Sequence, residues 1–127
     1  MEVLLDSHIA LWWADDPSLI EPLARQAIEN PANTVFVSAA SAWELSLKVA
    51  SGKLALDVRA LINGFAVQGV RLLGIGIEAA IRAPALQWDH RDPFDRMLVA
   101  QAQQARLTLV TRDRVILDFA GVTTLQA

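Results

Sequence analysis

Short apolar runs alternate with stretches of helical periodicity along this chain. The runs are apolar at consecutive positions, which is typical of strands that are covered on both faces. They predict strands over residues 3–5, 35–37, 71–73 and 107–110, with a small final strand that begins at 121 and 122. Apolar residues at helical spacing predict helices over 8–14, 18–29, 38–51, 58–67, 78–83 and 93–105, and a last short helix that ends near 119.

This regular alternation of strands and helices predicts an α/β fold. We expect a three-layer α/β/α sandwich around a central parallel sheet, because strands that are apolar on both sides need helices on both sides. A chain of 127 residues is long enough to bury one core and too short for two ordinary domains. The prediction is therefore a single domain over residues 1–127.

Two helix starts carry recognisable capping patterns. Asp92 precedes Pro93, and Asp95 follows two residues later, so Asp92 is predicted to cap a helix with proline at its first position. The motif SAWE, residues 41–44, has the form of a capping box. The acidic first turn that begins at Pro93 is expected to lie at the surface, where such a helix end can hold either an anion or a metal ion.

Composition narrows the class of protein. Apolar residues make up 54% of the chain and the mean hydropathy is +0.33, from which we expect some apolar surface to contact another chain. No apolar run is long enough for a membrane span, and no basic region precedes an apolar one as in a signal peptide. The absence of cysteine excludes disulfides and cysteine-ligated zinc. These features favour a cytoplasmic protein without a membrane segment.

Four acidic residues occupy related places in the predicted sheet. Asp6 ends the first strand and Asp113 stands just past the fourth, while Glu44 follows the second strand and Asp95 begins the helix that leads into the fourth. The carboxyl ends of parallel strands meet at one edge of a sheet, which is where open α/β folds bind their ligands. All four carboxylates are therefore expected to face one crevice.

Taken singly, each acid has an ordinary structural explanation. Asp6, Asp92 and Asp113 can cap helices, and Glu44 can close its capping box or pair with Lys48 one turn later. A cluster of carboxylates, however, is unfavourable unless protons or cations neutralise it. Carboxylate oxygens suit Mg²⁺ or Mn²⁺, and two such ions can stabilise the attacking and leaving oxygens of a phosphodiester. A net charge of −3 argues against a protein that binds nucleic acid non-specifically through its phosphates, because such binding depends on a surplus of Lys and Arg.

Four motifs carry a family resemblance over nearly the whole chain. They are LLD ending at Asp6, SAWEL around Glu44, HRDPFDRMLVAQA around Asp95, and LVTRD ending at Asp113. In this order they resemble the PIN-domain ribonucleases, in particular the VapC-type toxins of prokaryotic toxin–antitoxin pairs. The resemblance implies Mg²⁺- or Mn²⁺-dependent endonucleolytic cleavage of RNA, inhibition by a small cognate antitoxin, and a homodimer.

The resemblance also implies the acids' roles. Asp6, Glu44, Asp95 and Asp113 match the family's four acidic positions and are the expected catalytic residues. We expect Asp6, Asp95 and Asp113 to hold the metal. Glu44 is expected to orient the attacking water or to contribute to a second, weaker metal site. Asp92 is expected to cap the helix or to support the site from outside the set of four acids.

Polar neighbours of the acids complete the predicted site. The hydroxyls of Ser7 and Thr111 could bind ligands or phosphate, or cap helices. The arginines that flank the acidic motifs are expected to include some that contact the RNA backbone, and they are Arg91, Arg96, Arg112 and Arg114. For each arginine the alternative is a solvent-exposed position or an ion pair with a neighbouring acid.

Other functions remain open from the sequence. His8 and His90 could serve as acid and base in a metal-free cleavage through the 2′-hydroxyl. A PIN-like fold could also act without catalysis, as an RNA-binding or scaffold module. A receiver-type phosphoacceptor is disfavoured, because Asp6 has no acidic neighbour and the last lysine is Lys53. Trp88 is the one tryptophan expected in a loop, where it could contact substrate, whereas the other three are expected to pack in the core or an interface.

Overall fold

The computed structural model describes all 127 residues, which form one five-stranded sheet with helices on both faces. The strands are β1 (Glu2–Leu5), β2 (Thr34–Ser38), β3 (Arg71–Leu73), β4 (Thr108–Thr111) and β5 (Thr124–Gln126). Their order across the sheet is β3-β2-β1-β4-β5, and every neighbouring pair is parallel. The predicted α/β/α sandwich with a central parallel sheet is confirmed.

Seven α-helices cover the sheet. They are α1 (Ser7–Asp15), α2 (Pro22–Glu29), α3 (Ala39–Ala50), α4 (Val58–Val67), α5 (Ile77–Ala85), α6 (Pro93–Ala105) and α7 (Arg114–Leu117). A 3₁₀ turn over Pro17–Leu19 separates α1 from α2. None of these helices is long and apolar enough to cross a membrane.

The two faces of the sheet are buried in separate apolar clusters. Along β1, Val3 and Leu5 belong to one cluster and Leu4 to the other, as the alternation of side chains along a strand requires. Phe65 of α4 is completely buried in the first cluster, and Leu98 of α6 in the second. Burial on both faces explains why the strands are apolar at consecutive positions.

One predicted capping box and one predicted helix start are wrong, each for a local reason. Ser38, not Ser41, caps α3, because its Oγ accepts a hydrogen bond of 2.9 Å from the backbone N–H of Ala40. The capping box predicted at 41–44 therefore lies inside the helix. The helix predicted over 18–29 is divided, since Pro22 restricts the residue before it to an extended conformation and starts α2 anew.

Two predicted boundaries near the C-terminal half are also displaced. α5 continues through Pro84 to Ala85 and does not break at the proline. The final strand begins at Thr124 rather than at Gly121, because residues 120–122 form a turn after α7. Neither change moves an acidic residue of the predicted site.

The topology places a crevice at the centre of the sheet. From β1 the chain builds outward through β2 to β3, and it then crosses back through α5 and α6 to add β4 on the other side of β1. The carboxyl ends of β1 and β4 thus lie at the point where the strand order reverses, the usual ligand-binding position in such sheets. Asp6 follows β1 directly, and Asp113 comes two residues after β4.

Candidate active site

Asp6 is a buried carboxylate held from two sides. It is the N-cap of α1, and its Oδ1 accepts a hydrogen bond of 2.6 Å from the N–H of Ser7. Its Oδ2 accepts a hydrogen bond of 2.6 Å from the hydroxyl of Thr111 at the end of β4. Both oxygens of this carboxylate are therefore fixed in direction.

Thr111 connects Asp6 to the second acid of the crevice. Its hydroxyl oxygen accepts a hydrogen bond of 3.1 Å from the backbone N–H of Asp113 while its proton points to Asp6. The exposed carboxylate of Asp113 caps α7 by accepting from the N–H of Val115 at 2.9 Å. One buried hydroxyl thus links the segments that carry two of the four acids.

Glu44 joins the same network through Ser7. The hydroxyl of Ser7 donates to Oε1 of Glu44 at 2.7 Å, and it lies 2.9 Å from the hydroxyl of Ser41. The other oxygen of Glu44 lies 3.5 Å from Nζ of Lys48, one turn along α3. Because Ser7 is adjacent to Asp6 in sequence, these bonds tie α3 to the start of α1 beside the buried carboxylate.

Asp95 reaches the crevice from the first turn of α6. The carboxylate of Asp92 caps this helix, and its Oδ1 accepts from the N–H groups of Phe94 at 2.9 Å and Asp95 at 3.0 Å. Nε2 of His90 lies 2.7 Å from Oδ2 of Asp95, whereas Oδ1 makes no hydrogen bond to the protein. These contacts are those of a helix cap, one of the two roles predicted for Asp92.

The pKa values of Asp95 and Asp6 are both raised, because burial disfavours the charged form of a carboxyl group. Burial, with a smaller contribution from the nearby charges of Asp92, Asp6 and Asp113, raises the pKa of Asp95 to about 6, although the hydrogen bond from His90 opposes the shift. Burial also raises the pKa of Asp6, against the hydrogen bonds from Thr111 and Ser7. A cation placed among these groups would relieve both effects.

Arg96, one of the four arginines considered for RNA contact, has all its side-chain donors used within the protein. Its guanidinium donates five hydrogen bonds of 2.8–3.2 Å to backbone carbonyls, which belong to Ala83, Pro84, Leu86, Trp88 and His90. An arginine side chain has five N–H donors, so none remains for a phosphate. Arg96 instead holds the end of α5 and the loop before α6 against the first turn of α6.

The other three arginines differ in their availability. Arg112 donates to the carbonyls of Ala127 and Leu19 and lies over the ring of Trp12, with its guanidinium carbon 4.5 Å from the ring centre. Through these contacts Arg112 connects residue Ala127 and the 3₁₀ turn to α1. Arg114 is exposed and only 3.8 Å from the carboxylate of Asp118, and Arg91 is exposed in the loop before α6.

Trp88 and Trp43 differ in their surroundings. Trp88 is half-buried and stacks on Phe119 with ring centres 4.6 Å apart, so its loop position does not leave it free for substrate. Trp43, predicted to pack in the core or an interface, is 59% exposed. It meets Phe94 edge-on at 5.1 Å, beside a largely apolar cavity of about 500 Å³ between α3, α5 and α6. Arg91 is one of the few charged residues that line this cavity.

Several contacts around the site could not be predicted from sequence. The buried amide of Gln101 accepts from the hydroxyl of Ser38 at 2.6 Å and donates to the carbonyl of Gly74 at 3.2 Å, which ties α6 to the ends of β2 and β3. The spacing of Ser38 and Gln101, 63 residues apart, carries no local signal. The pairing of His90 with Asp95, five residues later, has a short-range signal in the HRDPFD motif.

Comparison with known proteins identifies the family. The family model described as PIN domain matches residues 3–122, almost the whole chain. The chain belongs to the PIN domain family. Ribonuclease VapC22 of Mycobacterium tuberculosis (strain ATCC 25618 / H37Rv) is 38% identical to this PIN domain over 115 residues, which are 88% of this chain and 87% of that relative.

Solved structures have the same PIN fold. VapBC2 from Rickettsia felis, bound to a DNA fragment from its promoter, aligns with a TM-score of 0.72 at 15% identity and covers 100% of this chain and 99% of its own. The DNA-bound VapBC of Salmonella typhimurium aligns with a TM-score of 0.72 at 18% identity, with 99% and 98% of the two chains covered. At these identities the likeness establishes the fold of this PIN domain.

Proposed function

We propose that this PIN domain is a divalent-metal-dependent endoribonuclease and the toxin of a type II toxin–antitoxin pair. The observation that carries the proposal is one hydrogen-bonded network at the switch point of the sheet, which joins the carboxylates of Asp6 and Glu44 and the backbone N–H of Asp113. Asp95 lies close enough for the charges of Asp6 and Asp113 to act on it. The ribonuclease relative matches across most of both chains, which supports the same reaction here.

The residues fit Mg²⁺ or Mn²⁺ in donor chemistry. No group of three or more carboxylates and imidazoles is close enough together to surround an ion unaided. Mg²⁺, however, is usually held by one or two carboxylates, with waters and substrate phosphates as its other ligands. Of the predicted ligands Asp6, Asp95 and Asp113, one or two would hold the ion directly, Asp95 through its free Oδ1, and the others would reach it through water. When bound, such an ion supplies Lewis-acid stabilisation of charge on the phosphoryl oxygens.

The chain's own residues prepare the site for this reaction. Thr111 and Ser7 fix both oxygens of Asp6, so little reorganisation is needed when a ligand arrives. Glu44, oriented by Ser7 and Lys48, is the residue proposed to position the attacking water. In-line attack on phosphorus then leaves a 5′-phosphate and a 3′-hydroxyl.

Substrate binding is assigned to the arginines that remain available. Arg91 and Arg114 are exposed next to the segments that carry Asp95 and Asp113, and each can contact a backbone phosphate of RNA. The exposed ion pair of Arg114 with Asp118 is no obstacle, because pairs of this kind contribute little stability. Since the substrate is cellular RNA, the proposed location is the cytoplasm.

The protein partners proposed for this chain are a cognate antitoxin and a second copy. Two large apolar side chains that line the cavity between α3, α5 and α6 are exposed, those of Trp43 and Ile75. Exposed apolar surface of this kind is typical of protein-binding sites. The relatives of known structure are toxin–antitoxin complexes, which supports an antitoxin as the occupant.

Cleavage of a mixed pool of structured and single-stranded RNA tests the proposal. The protein is purified under denaturing conditions to remove any antitoxin, refolded, and assayed with Mg²⁺, with Mn²⁺ and with EDTA. We expect cleavage with either metal ion, new 5′-phosphate ends, and no cleavage in EDTA. Cleavage that survives EDTA and is lost on substitution of His8 and His90 would contradict the proposal and support the metal-free reaction.

A further inference from the structure

We propose that His90 is a positioning residue, which fixes the carboxylate of Asp95 so that one of its oxygens is presented to the divalent ion. The inference rests on the proposed function and adds to it a residue outside the four acids. Its basis is the 2.7 Å contact between Nε2 of His90 and Oδ2 of Asp95. That contact occupies one carboxylate oxygen and leaves Oδ1 without a protein partner.

The backbone of Asp95 is already fixed, so His90 acts on the remaining freedom of its side chain. Asp92 caps α6 and binds the N–H of Asp95, which holds its main chain at the start of the helix. The side chain could still rotate about its two torsions. A hydrogen bond to one oxygen selects a single orientation and thereby removes the entropy cost of ordering the carboxylate when the ion binds.

His90 is itself held in place from two directions. Its carbonyl accepts a hydrogen bond of 2.9 Å from Nη1 of Arg96. Its ring packs on Trp88 with ring centres 4.9 Å apart, and Trp88 stacks in turn on Phe119. A residue that only filled space in the loop would not need both its main chain and its ring fixed. The arrangement gives the imidazole one position from which to reach Asp95.

The contact is also protected from solvent. The side chain of His90 is 25% exposed and that of Asp95 is 13% exposed. Water therefore competes poorly for the hydrogen bond, which makes it more effective than a similar pair on an open surface. Hydrogen-bond partners of metal ligands commonly change metal affinity by about 10–100-fold when they are removed.

Mn²⁺ affinity of the purified full chain tests the inference without any RNA. The free Mn²⁺ signal in electron paramagnetic resonance is followed at one fixed pH for wild type, His90→Gln and His90→Asn. The amide nitrogen of glutamine can take the place of Nε2, whereas the shorter asparagine cannot reach Asp95. We expect His90→Gln to bind Mn²⁺ almost as well as wild type and His90→Asn to bind it about 10–100-fold more weakly.

Thermal unfolding in EDTA, measured on the same variants, separates positioning from a merely structural role. If His90→Asn lowers the melting temperature but leaves Mn²⁺ affinity unchanged, the inference is overturned. Equal loss in both variants would also overturn it, because the glutamine preserves the donor. Asp95→Asn distinguishes this failure from a failure of the proposed metal site. Weaker Mn²⁺ binding by Asp95→Asn with unchanged binding by His90→Asn overturns the inference alone, whereas wild-type Mn²⁺ affinity in Asp95→Asn removes Asp95 from the proposed metal site.

Discussion

The hydroxyl of Thr111 donates a 2.6 Å hydrogen bond to Oδ2 of Asp6, and the two residues are 105 positions apart in sequence. This bond joins the ends of β1 and β4, the two strands at the switch point of the sheet. The same hydroxyl accepts the N–H of Asp113. The geometry of the proposed catalytic site is therefore built into the packing of the two central strands.

Thr111→Val removes this hydroxyl and leaves the buried Oδ2 of Asp6 without its donor. We expect the free energy of unfolding to fall by about 1–3 kcal/mol, the usual cost of an unsatisfied buried polar group. Urea unfolding measures the change. Thr108→Val in the same strand is the matched control, since Thr108 is half-buried and makes no side-chain hydrogen bond. Equal stability of the two variants would contradict the role given to Thr111.

Asp92→Ala tests the assignment of Asp92 as a cap. Loss of its bonds to two N–H groups at the start of α6 is expected to cost about 1 kcal/mol of stability. Asp57→Ala is a matched control, because Asp57 caps α4 through the N–H of Ala60. We expect similar losses in thermal unfolding. A loss of RNA cleavage by Asp92→Ala without a change in melting temperature would mean that Asp92 takes part directly in the reaction.

The raised pKa values of Asp6 and Asp95 predict how the stability of the metal-free protein depends on pH. The folded protein binds protons more tightly than the unfolded chain between pH 3.8, the ordinary pKa of an aspartate, and about 6, the pKa of Asp95. The free energy of unfolding should therefore decrease as pH rises through this window. Above it, the buried carboxylate of Asp95 is charged.

Denaturation in EDTA at several pH values measures this decrease. Asp95→Asn carries no titrating proton, so we expect a shallower decrease and a more stable metal-free protein at pH 7. Mn²⁺ should raise the melting temperature of wild type more than that of the variant. A ligand that binds the folded protein stabilises it according to its affinity, and the variant lacks one of the proposed metal ligands. A wild-type stability that increases from pH 4 to 6 would contradict the electrostatic description of the site.

Substitution of Arg96 is expected to lower the stability of the fold strongly, whereas substitution of Arg114 is expected to change it little. Arg96→Lys keeps the charge but cannot supply five donors, and the carbonyls left unpaired should lower the free energy of unfolding by about 3 kcal/mol. Arg114→Ala should change it by less than about 0.5 kcal/mol, since its ion pair is exposed. Urea unfolding compares the two.

RNA binding gives the second comparison for Arg114. Arg114→Ala should weaken RNA binding at all salt concentrations. The slope of log K against log salt should become shallower by about 1, as expected for the loss of one phosphate contact. Filter binding in EDTA, which prevents cleavage, measures both quantities. An unchanged salt dependence would remove Arg114 from the RNA contacts and leave Arg91 as the remaining candidate.

The strands and the acidic positions could be predicted from sequence because each has a short-range signal. Leu4 is apolar between two apolar neighbours since both faces of β1 are buried, and consecutive apolar residues reveal this directly. Asp6 and Asp113 follow such strands, so parallel pairing alone puts them at one edge. The α6 start was predictable because Asp92 and Pro93 form a specific capping pattern.

Other features depend on contacts that no local pattern records. Arg96 stands in an acidic motif, where binding of a phosphate is the natural expectation, and only the folded loop reveals the carbonyls that use all its donors. Ser38 and Ser41 are both plausible caps, and the actual start of α3 follows from where β2 ends. Trp43 is exposed because α3 presents it beside an open cavity that the sequence does not describe.

The most direct test of the central claim is the rate of Mn²⁺-dependent RNA cleavage by Asp95→Asn beside that of Asp15→Asn. Asp15 is an exposed aspartate at the far end of α1, outside the proposed site. If the four acids form one metal-dependent catalytic site, Asp95→Asn should fold normally and lose more than about 100-fold in rate, while Asp15→Asn retains the wild-type rate. A folded Asp95→Asn protein that cleaves RNA at the wild-type rate would contradict the claim.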